Sequence, residues 1–401
     1  MGTVTGEDVG VPLTPAGRTD AVPAMPAEPH RGGALAPYDA LVLLSFGGPE
    51  GPEDVMPFLR NVTRGRGIPP ERLVSVAEHY HHFGGRSPIN DQNRALLAAL
   101  RAELGRRDLD LPLYWGNRNW EPFVTEAFQA AHEAGARRLL AIPTSAYSSY
   151  SGCRQYREDI AEGVIALAAG GGTVMVDKVR HYFNDSGFVA ANADAVATAV
   201  LALPDGVREG ARVAFVTHSV PVDMDRTAGP EGHRYTAQHR STCAAVAREA
   251  GLALSRDLEW DLVYCSRSGP PSQPWLEPDI NDHLRQLSAA GVPGVVAAPI
   301  GFISDHMEVK FDMDTEAQAT AREIGLPFVR AATVGTDPRF VAGLLDLCLE
   351  RAAQARGESV APVTVGGMPA SWAVCPAGCC PNPRLAKPAA AGEDWAAPAP
   401  L

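Results

Sequence analysis

Three carboxylates, Glu308, Asp312 and Glu316, stand four residues apart, and His306 precedes the first of them by two. If the segment from Glu308 onward is helical, the three fall on one face. Like charges at that spacing destabilise a helix by about 0.2–0.5 kcal/mol per pair. A solvated acidic face is the ordinary reading of such a stripe; a path for cations and protons is the other. His218 ends the apolar run that begins at Val213. In α/β sheets, ligand groups gather at the carboxyl ends of strands. An imidazole there can act as general base or metal ligand near neutral pH, or can simply pack.

Two further groups carry possible chemistry. The basic run Arg60-Asn-Val-Thr-Arg64-Gly-Arg66, with Arg86 and Ser87 beyond it, could bind carboxylates through paired N–H donors. Surface arginine is the alternative, but a net charge of −12 makes a local basic cluster meaningful for an anionic ligand. Cys375, Cys379 and Cys380 fall close together in a Pro- and Gly-rich stretch. Core packing does not explain three thiols so spaced, and thiolates in such a pattern suit an iron–sulfur or zinc centre. Cys243, Cys265 and Cys348 lie in helix- or strand-like runs and read as core. Glu78-His-Tyr-His-His82 reads as a partly exposed helix end rather than a metal site.

Short apolar runs rich in Val, Leu and Ile must position these groups: Ala40–Ser45, Leu111–Trp115, Arg138–Pro143, Thr173–Asp177, Val213–Thr217, Leu262–Cys265, Val295–Ile300 and Pro327–Ala331. They suit strands buried on both faces. Helical patterns alternate with them: 89–104, 122–134, 156–168, 188–202, 235–254, 279–290, 309–324 and 339–353. The succession predicts an α/β fold with parallel sheets. Long, unequal connections such as 47–88 disfavour a barrel, leaving two similar four-stranded Rossmann-like halves flanked by helices, with a cleft between them. The expected division is a disordered leader over 1–36 and a first half over 37–145 completed by the helix at 337–355. A second half follows over 146–336, then a Pro/Ala-rich tail over 357–401 that carries the cysteines.

The acidic balance argues against nucleic-acid binding. No apolar run approaches the roughly 18 residues of a membrane span. The start of the chain has neither a signal-peptide nor a transit-peptide pattern, which points to the cytoplasm. Seven cysteines, an odd number without a secretory signal, disfavour a disulfide framework.

Six motifs carry a resemblance. Leu44-Ser-Phe-Gly-Gly-Pro49, Gly84-Gly-Arg-Ser-Pro-Ile89, Arg118-Asn-Trp-Glu-Pro122, Phe215-Val-Thr-His-Ser-Val-Pro221 with Tyr235 after it, Ser268-Gly-Pro with Pro274-Trp-Leu276, and Gly301-Phe-Ile-Ser-Asp-His-Met-Glu308 resemble ferrochelatase motifs. They stand in the family's order over roughly residues 38 to 355. The resemblance implies a lyase of haem biosynthesis that inserts Fe2+ into a porphyrin held between two Rossmann-like halves. It implies that His218 and Glu308 face each other across the porphyrin as metal ligand and proton acceptor. Asp312 and Glu316 then lead away as a relay, and His306 either joins that relay or supports Glu308. Phe46 stands where some bacterial relatives have a tyrosine and is expected to pack on the macrocycle. Arg64, Arg66, Arg86 and Ser87 match the region that holds propionates. The Arg, Ala and Gly usage resembles that of actinobacteria, whose relatives use coproporphyrin III; protoporphyrin IX or another tetrapyrrole chelation is the alternative, and a non-catalytic haem carrier a further one. Many ferrochelatases carry a [2Fe–2S] cluster, which the resemblance assigns to Cys153, Cys375, Cys379 and Cys380, with zinc as competitor. The protein is expected to be a monomer that makes transient contact with the next haem-pathway enzyme. Gly232-His-Arg-Tyr235 lacks the acid of the family pattern.

Overall fold

A computed structural model describes residues 33–269 and 272–398. The leader expected over 1–36 therefore lies almost wholly outside the described residues. Among the described residues, eight strands form two four-stranded parallel sheets. The first holds β1 (Ala40–Ser45), β2 (Leu113–Asn117), β3 (Arg138–Pro143) and β4 (Met175–Lys178) in the order β2-β1-β3-β4. The second holds β5 (Arg212–His218), β6 (Trp260–Cys265), β7 (Val295–Ala298) and β8 (Phe328–Arg330) in the order β6-β5-β7-β8. Each sheet thus repeats one topology, and the strand order reverses direction between β1 and β3 and again between β5 and β7. A doubly wound sheet opens a crevice at such a reversal, beyond the strand carboxyl ends.

The strands form where continuous apolar runs let helices cover both faces. Every residue of β1 is buried. On one side of the first sheet, Ala40, Val42 and Leu44 pack with Phe128 and Ile160 from the helices Val124–Glu133 and Gln155–Ala169. On the other, Leu41 and Leu43 pack with Leu96, Leu97 and Leu100 of Ile89–Arg106 and with Leu344 and Leu345 of Pro338–Ala355. Because β4 pairs with β3, the first sheet runs on to Lys178. The boundary expected at residue 145 moves to the connection after Lys178. Sheet hydrogen bonds set that boundary, and the sequence has no linker composition at either place.

The last helix also meets the second half. It crosses helix Ser186–Ala202 at Gly187, where a Cβ would lie 2.1 Å from the Arg339 carbonyl oxygen. Only glycine admits that approach. The long connection 47–88 is not an irregular loop: it holds the helices Val55–Val62 and Pro70–His82. The tail is docked rather than loose, with Cys375, Cys379, Cys380 and Ala389 to Ala391 all buried. Among the described residues, no helix is long and apolar enough to cross a membrane.

Candidate functional site

β5 delivers His218 at its carboxyl end, beside the crevice that the strand order predicts. The strand end is held from below. Tyr235 donates its hydroxyl proton to the His218 carbonyl at 2.7 Å and lies 2.9 Å from the Thr217 hydroxyl. His239, stacked on Tyr147 at 3.6 Å, reaches the same Thr217 oxygen at 2.9 Å. Gly301 presses on this residue from the turn that follows β7: a Cβ there would lie 2.1 Å from the Thr217 hydroxyl oxygen. The Nδ1–H of His218 donates to the Ser219 carbonyl, which leaves Nε2 turned outward.

Nε2 meets Glu308. The His218 Nε2 to Glu308 Oε1 distance is 3.4 Å, with the two side chains 33% and 46% exposed at the mouth of the crevice. Burial would lower the imidazole's proton affinity, but the Glu308 charge and hydrogen bond outweigh it and push His218 up to about 9. Burial likewise would raise Glu308, yet the His218 charge pulls it down to about 2. The two form an imidazolium–carboxylate pair at neutral pH. The contact is direct. A flat macrocycle between them would need about 7 Å, two van der Waals separations of roughly 3.5 Å, so the facing arrangement expected from the sequence requires the pair to part. His306 supports Glu308 from the chain itself: its Nδ1 accepts the Glu308 backbone N–H at 3.1 Å, and its Nε2 lies 3.9 Å from Glu308 Oε2.

The acidic stripe rides on a wider helix than the spacing predicted. Val309–Ala317 is a π-helix, and an α-helix resumes only at Gln318. Single π turns cluster at functional sites. Val309, Met313 and Ala317 are buried against Val216, Ile280 and Leu284, which fixes the opposite face and keeps the carboxylates clear of the core. Asp312 accepts a hydrogen bond from the Ser266 hydroxyl. Burial, reinforced by the Glu308 charge and opposed by that bond, pushes Asp312 up to about 7. Glu316 is exposed at the far end; partial burial first, and then Asp279, raise it.

The other expected residues line the first sheet's side. Phe46, half-buried, packs edge-on against Phe58 at 6.1 Å. Ser87 is buried, its N–H given to the Pro49 carbonyl at 2.9 Å. Arg86 holds Asp91 through both carboxylate oxygens at 2.8 and 2.6 Å and lines a cavity of about 260 Å³ with Phe83, Met307 and Lys310. Arg64 bonds Asn61 at 2.6 Å, and Arg66 is exposed. Arg64 and Arg86 are thus engaged by separate partners. Sequence reasoning missed the helix Pro70–His82 as a wall of the site. His79 stacks on Phe311 at 3.7 Å, bridging the two halves at the π-helix. The Tyr80 hydroxyl is raised by burial and then by the Glu308 charge. The aromatic and histidine spacing of 78–82 was the available signal, and it was read as a helix end.

Cys153, Cys375, Cys379 and Cys380 form a separate buried cluster. Cys153 and Cys375 sulfurs lie 3.9 Å apart although 222 residues separate them, and Cys379 and Cys380 sulfurs 3.7 Å apart. None is disulfide-bonded. The Gly229 N–H donates to Cys380 Sγ at 3.2 Å. Among the described residues, no group of three or more His, Cys, Asp or Glu side chains stands ready to hold a metal ion. The donor chemistry of the four thiols still fits a soft iron–sulfur centre.

Residues 38–352 match the ferrochelatase family model. The chain is 58% identical over 369 residues to the coproporphyrin III ferrochelatase of Streptomyces griseus subsp. griseus, covering 90% of this chain and 97% of that protein. It is 56% identical over 365 residues to the coproporphyrin III ferrochelatase of Streptomyces coelicolor, with the same coverage. Among solved structures, SirB from Bacillus subtilis with Fe3+ aligns at a TM-score of 0.49 and 13% identity, over 79% of this chain and 97% of that one.

Proposed function

The chain belongs to the ferrochelatase family, and from that premise we propose that it inserts Fe2+ into coproporphyrin III to give coprohaem in haem biosynthesis. The observation that carries this reading is the pair of His218 and Glu308 at the strand-order reversal, with an acidic path leading away. The choice of coproporphyrin rests on the names of the two Streptomyces relatives. The test is an insertion assay with Fe2+ and either porphyrin. Coproporphyrin III is expected to give a kcat/KM at least about tenfold above protoporphyrin IX, a discrimination of about 1.4 kcal/mol. Equal values would overturn the choice of substrate.

Two pyrrole protons must leave as Fe2+ enters. In the closed pair, Glu308 keeps His218 protonated, and an imidazolium offers no lone pair to a metal or a proton. A macrocycle that parts the pair removes the nearby charge, and burial then favours the neutral ring. Substrate entry thereby releases the Nε2 proton of His218 to solvent and leaves the neutral ring as base and metal ligand. Glu308, ionised and steadied by His306, faces the other side of the macrocycle. Phe46 packs on the ring, while Arg64, Arg66, Arg86 and Ser87 take the propionates, for which planar guanidinium donors are suited.

Protons leave along Asp312 and Glu316. A carboxyl near 7 exchanges protons readily at neutral pH. Its pKa is raised, so below about 7 Asp312 is already protonated and cannot accept. The rate of wild type should therefore fall as pH drops through that value. Asp312→Asn is expected to lower kcat about tenfold or more and to flatten this acid limb, measured as a pH–rate profile. An unaltered profile would remove Asp312 from the path.

The four cysteines would hold a [2Fe–2S] cluster. When bound, such a centre supplies one-electron chemistry and a cross-link; no step of iron insertion uses it. We also place the protein in the cytoplasm as a monomer that hands its product on through a transient contact with the next pathway enzyme.

A further inference from the structure

Lys178 ends β4 with its side chain in the interior, only 2% exposed. Its ammonium donates to the Trp372 carbonyl at 3.0 Å and to the Val179 carbonyl at 3.4 Å. Among the described residues no carboxylate pairs with it. A buried charge without a counter-charge is costly, and such groups are paired or lie beside an ion. The nearby candidates for negative charge are sulfurs. Trp372 lies three residues before Cys375 in the same stretch of tail, and the Cys375 sulfur lies 3.9 Å from that of Cys153. Arg157, fully buried and one helical turn after Cys153, adds a second cation. It bonds the carbonyls of Ala390 and Ala389 at 2.6 and 3.3 Å and Asp394 at 3.1 Å, but its Nη1 is buried without a hydrogen-bond partner.

We propose that Lys178, assisted by Arg157, is the built-in counter-charge of the four-cysteine site, and that it holds the reduction potential and retention of the [2Fe–2S] cluster up. The inference rests on the cluster reading above. Four neutral thiols would leave Lys178 uncompensated. Four thiolates around a [2Fe–2S]2+ core carry a net charge of 2−, and the one-electron reduced form 3−. A fixed buried cation favours the more negative state, because low dielectric strengthens the attraction. Among the described residues Lys178 bonds the Val179 and Trp372 carbonyls and none of the residues proposed for the porphyrin, so it is a positioning residue for the cluster and not a catalytic one.

The test uses the full chain purified with its cluster, as wild type, Lys178→Gln and Lys178→Arg. Gln keeps an N–H donor for the Trp372 carbonyl and removes only the charge. Iron and sulfide are counted per chain, the midpoint is read by dithionite titration with mediators, and iron loss to a chelator is timed. Lys178→Gln is expected to shift the reduction equilibrium at least tenfold toward the oxidised form, about 59 mV for a one-electron couple, and to lose iron several-fold faster. Lys178→Arg should restore both. A Gln variant that accumulates only without cluster, while Arg retains it, also supports the proposal. Wild-type midpoint and retention in Lys178→Gln would overturn it. Zinc, or no metal, in the wild-type protein would overturn the cluster reading itself.

Discussion

Replacing His218 by alanine is expected to lower kcat for iron insertion by about 10²–10⁴, the range that a positioned proton acceptor contributes. The backbone should stay in place, since Tyr235 bonds the His218 carbonyl and not its ring. KM for the porphyrin should change little, because the residues proposed for the propionates lie on the other half and remain. A fall in kcat with KM held is the signature of an interaction used in the reaction and not in binding. Removing the ring also leaves Glu308 without its partner at 3.4 Å. The His218-induced drop in its proton affinity then disappears and burial raises it. Glu308→Gln should therefore cost less on top of His218→Ala than alone, since residues acting as a unit are not additive. Steady-state rates with Fe2+ and coproporphyrin III decide this, and wild-type turnover in His218→Ala would end the assignment.

Cys153→Ser is expected to yield a colourless protein whose tail is released. The proposed cluster would bridge Cys153 and Cys375, which are 222 residues apart in the chain. In the chain-entropy account, a cross-link of that span removes about 5 kcal/mol of unfolded-state freedom. Without it the tail is held by the Arg157 bonds, the Asn382 bonds to Glu158 at 3.1 Å and the packing of Ala390 and Trp395. Limited proteolysis should cut the variant within the tail while the wild type resists, and its thermal midpoint should fall. Iron insertion below that midpoint should persist, because the His218–Glu308 contact draws on no cysteine. A variant with wild-type colour and tail protection would remove Cys153 from the site.

The eight strands were legible because apolar runs buried on both faces leave few alternatives, and His218 could be placed at a strand end for the same reason. The pairing of His218 with Glu308 was legible only as a facing arrangement. Their direct contact depends on how far the halves close, a tertiary quantity. The π-helix was hidden because Val309, Met313 and Ala317 repeat every four residues, which an α-helix also satisfies. Helix Pro70–His82 escaped because it buries little of itself, with only Ala77 fully covered. The tail has the composition of a disordered segment, yet its Ala389 and Ala390 carbonyls bond the buried Arg157 and its thiols gather inside. Lys178 could not be recognised, since a lysine closing a strand ordinarily reaches solvent.

The π-helix has a consequence for insertions and deletions. A π turn is what an α-helix becomes when it accommodates one surplus residue, so Val309–Ala317 works as a slip joint between two phases. Ala317 and Ala321 are locked into the second half's core together with Val309 and Met313, and the wider turn gives Glu308 the azimuth that meets His218. The surplus residue within 309–317 can be lost with the helix ends near their present phase, whereas deleting one residue from the regular α-helix Gln318–Glu323 would swing Glu308 by about 100° about the axis, since one residue turns an α-helix by that much. Every residue of the motif would still be present. The carboxylate would point elsewhere, so alignment gaps in this segment bear on activity as strongly as substitutions do.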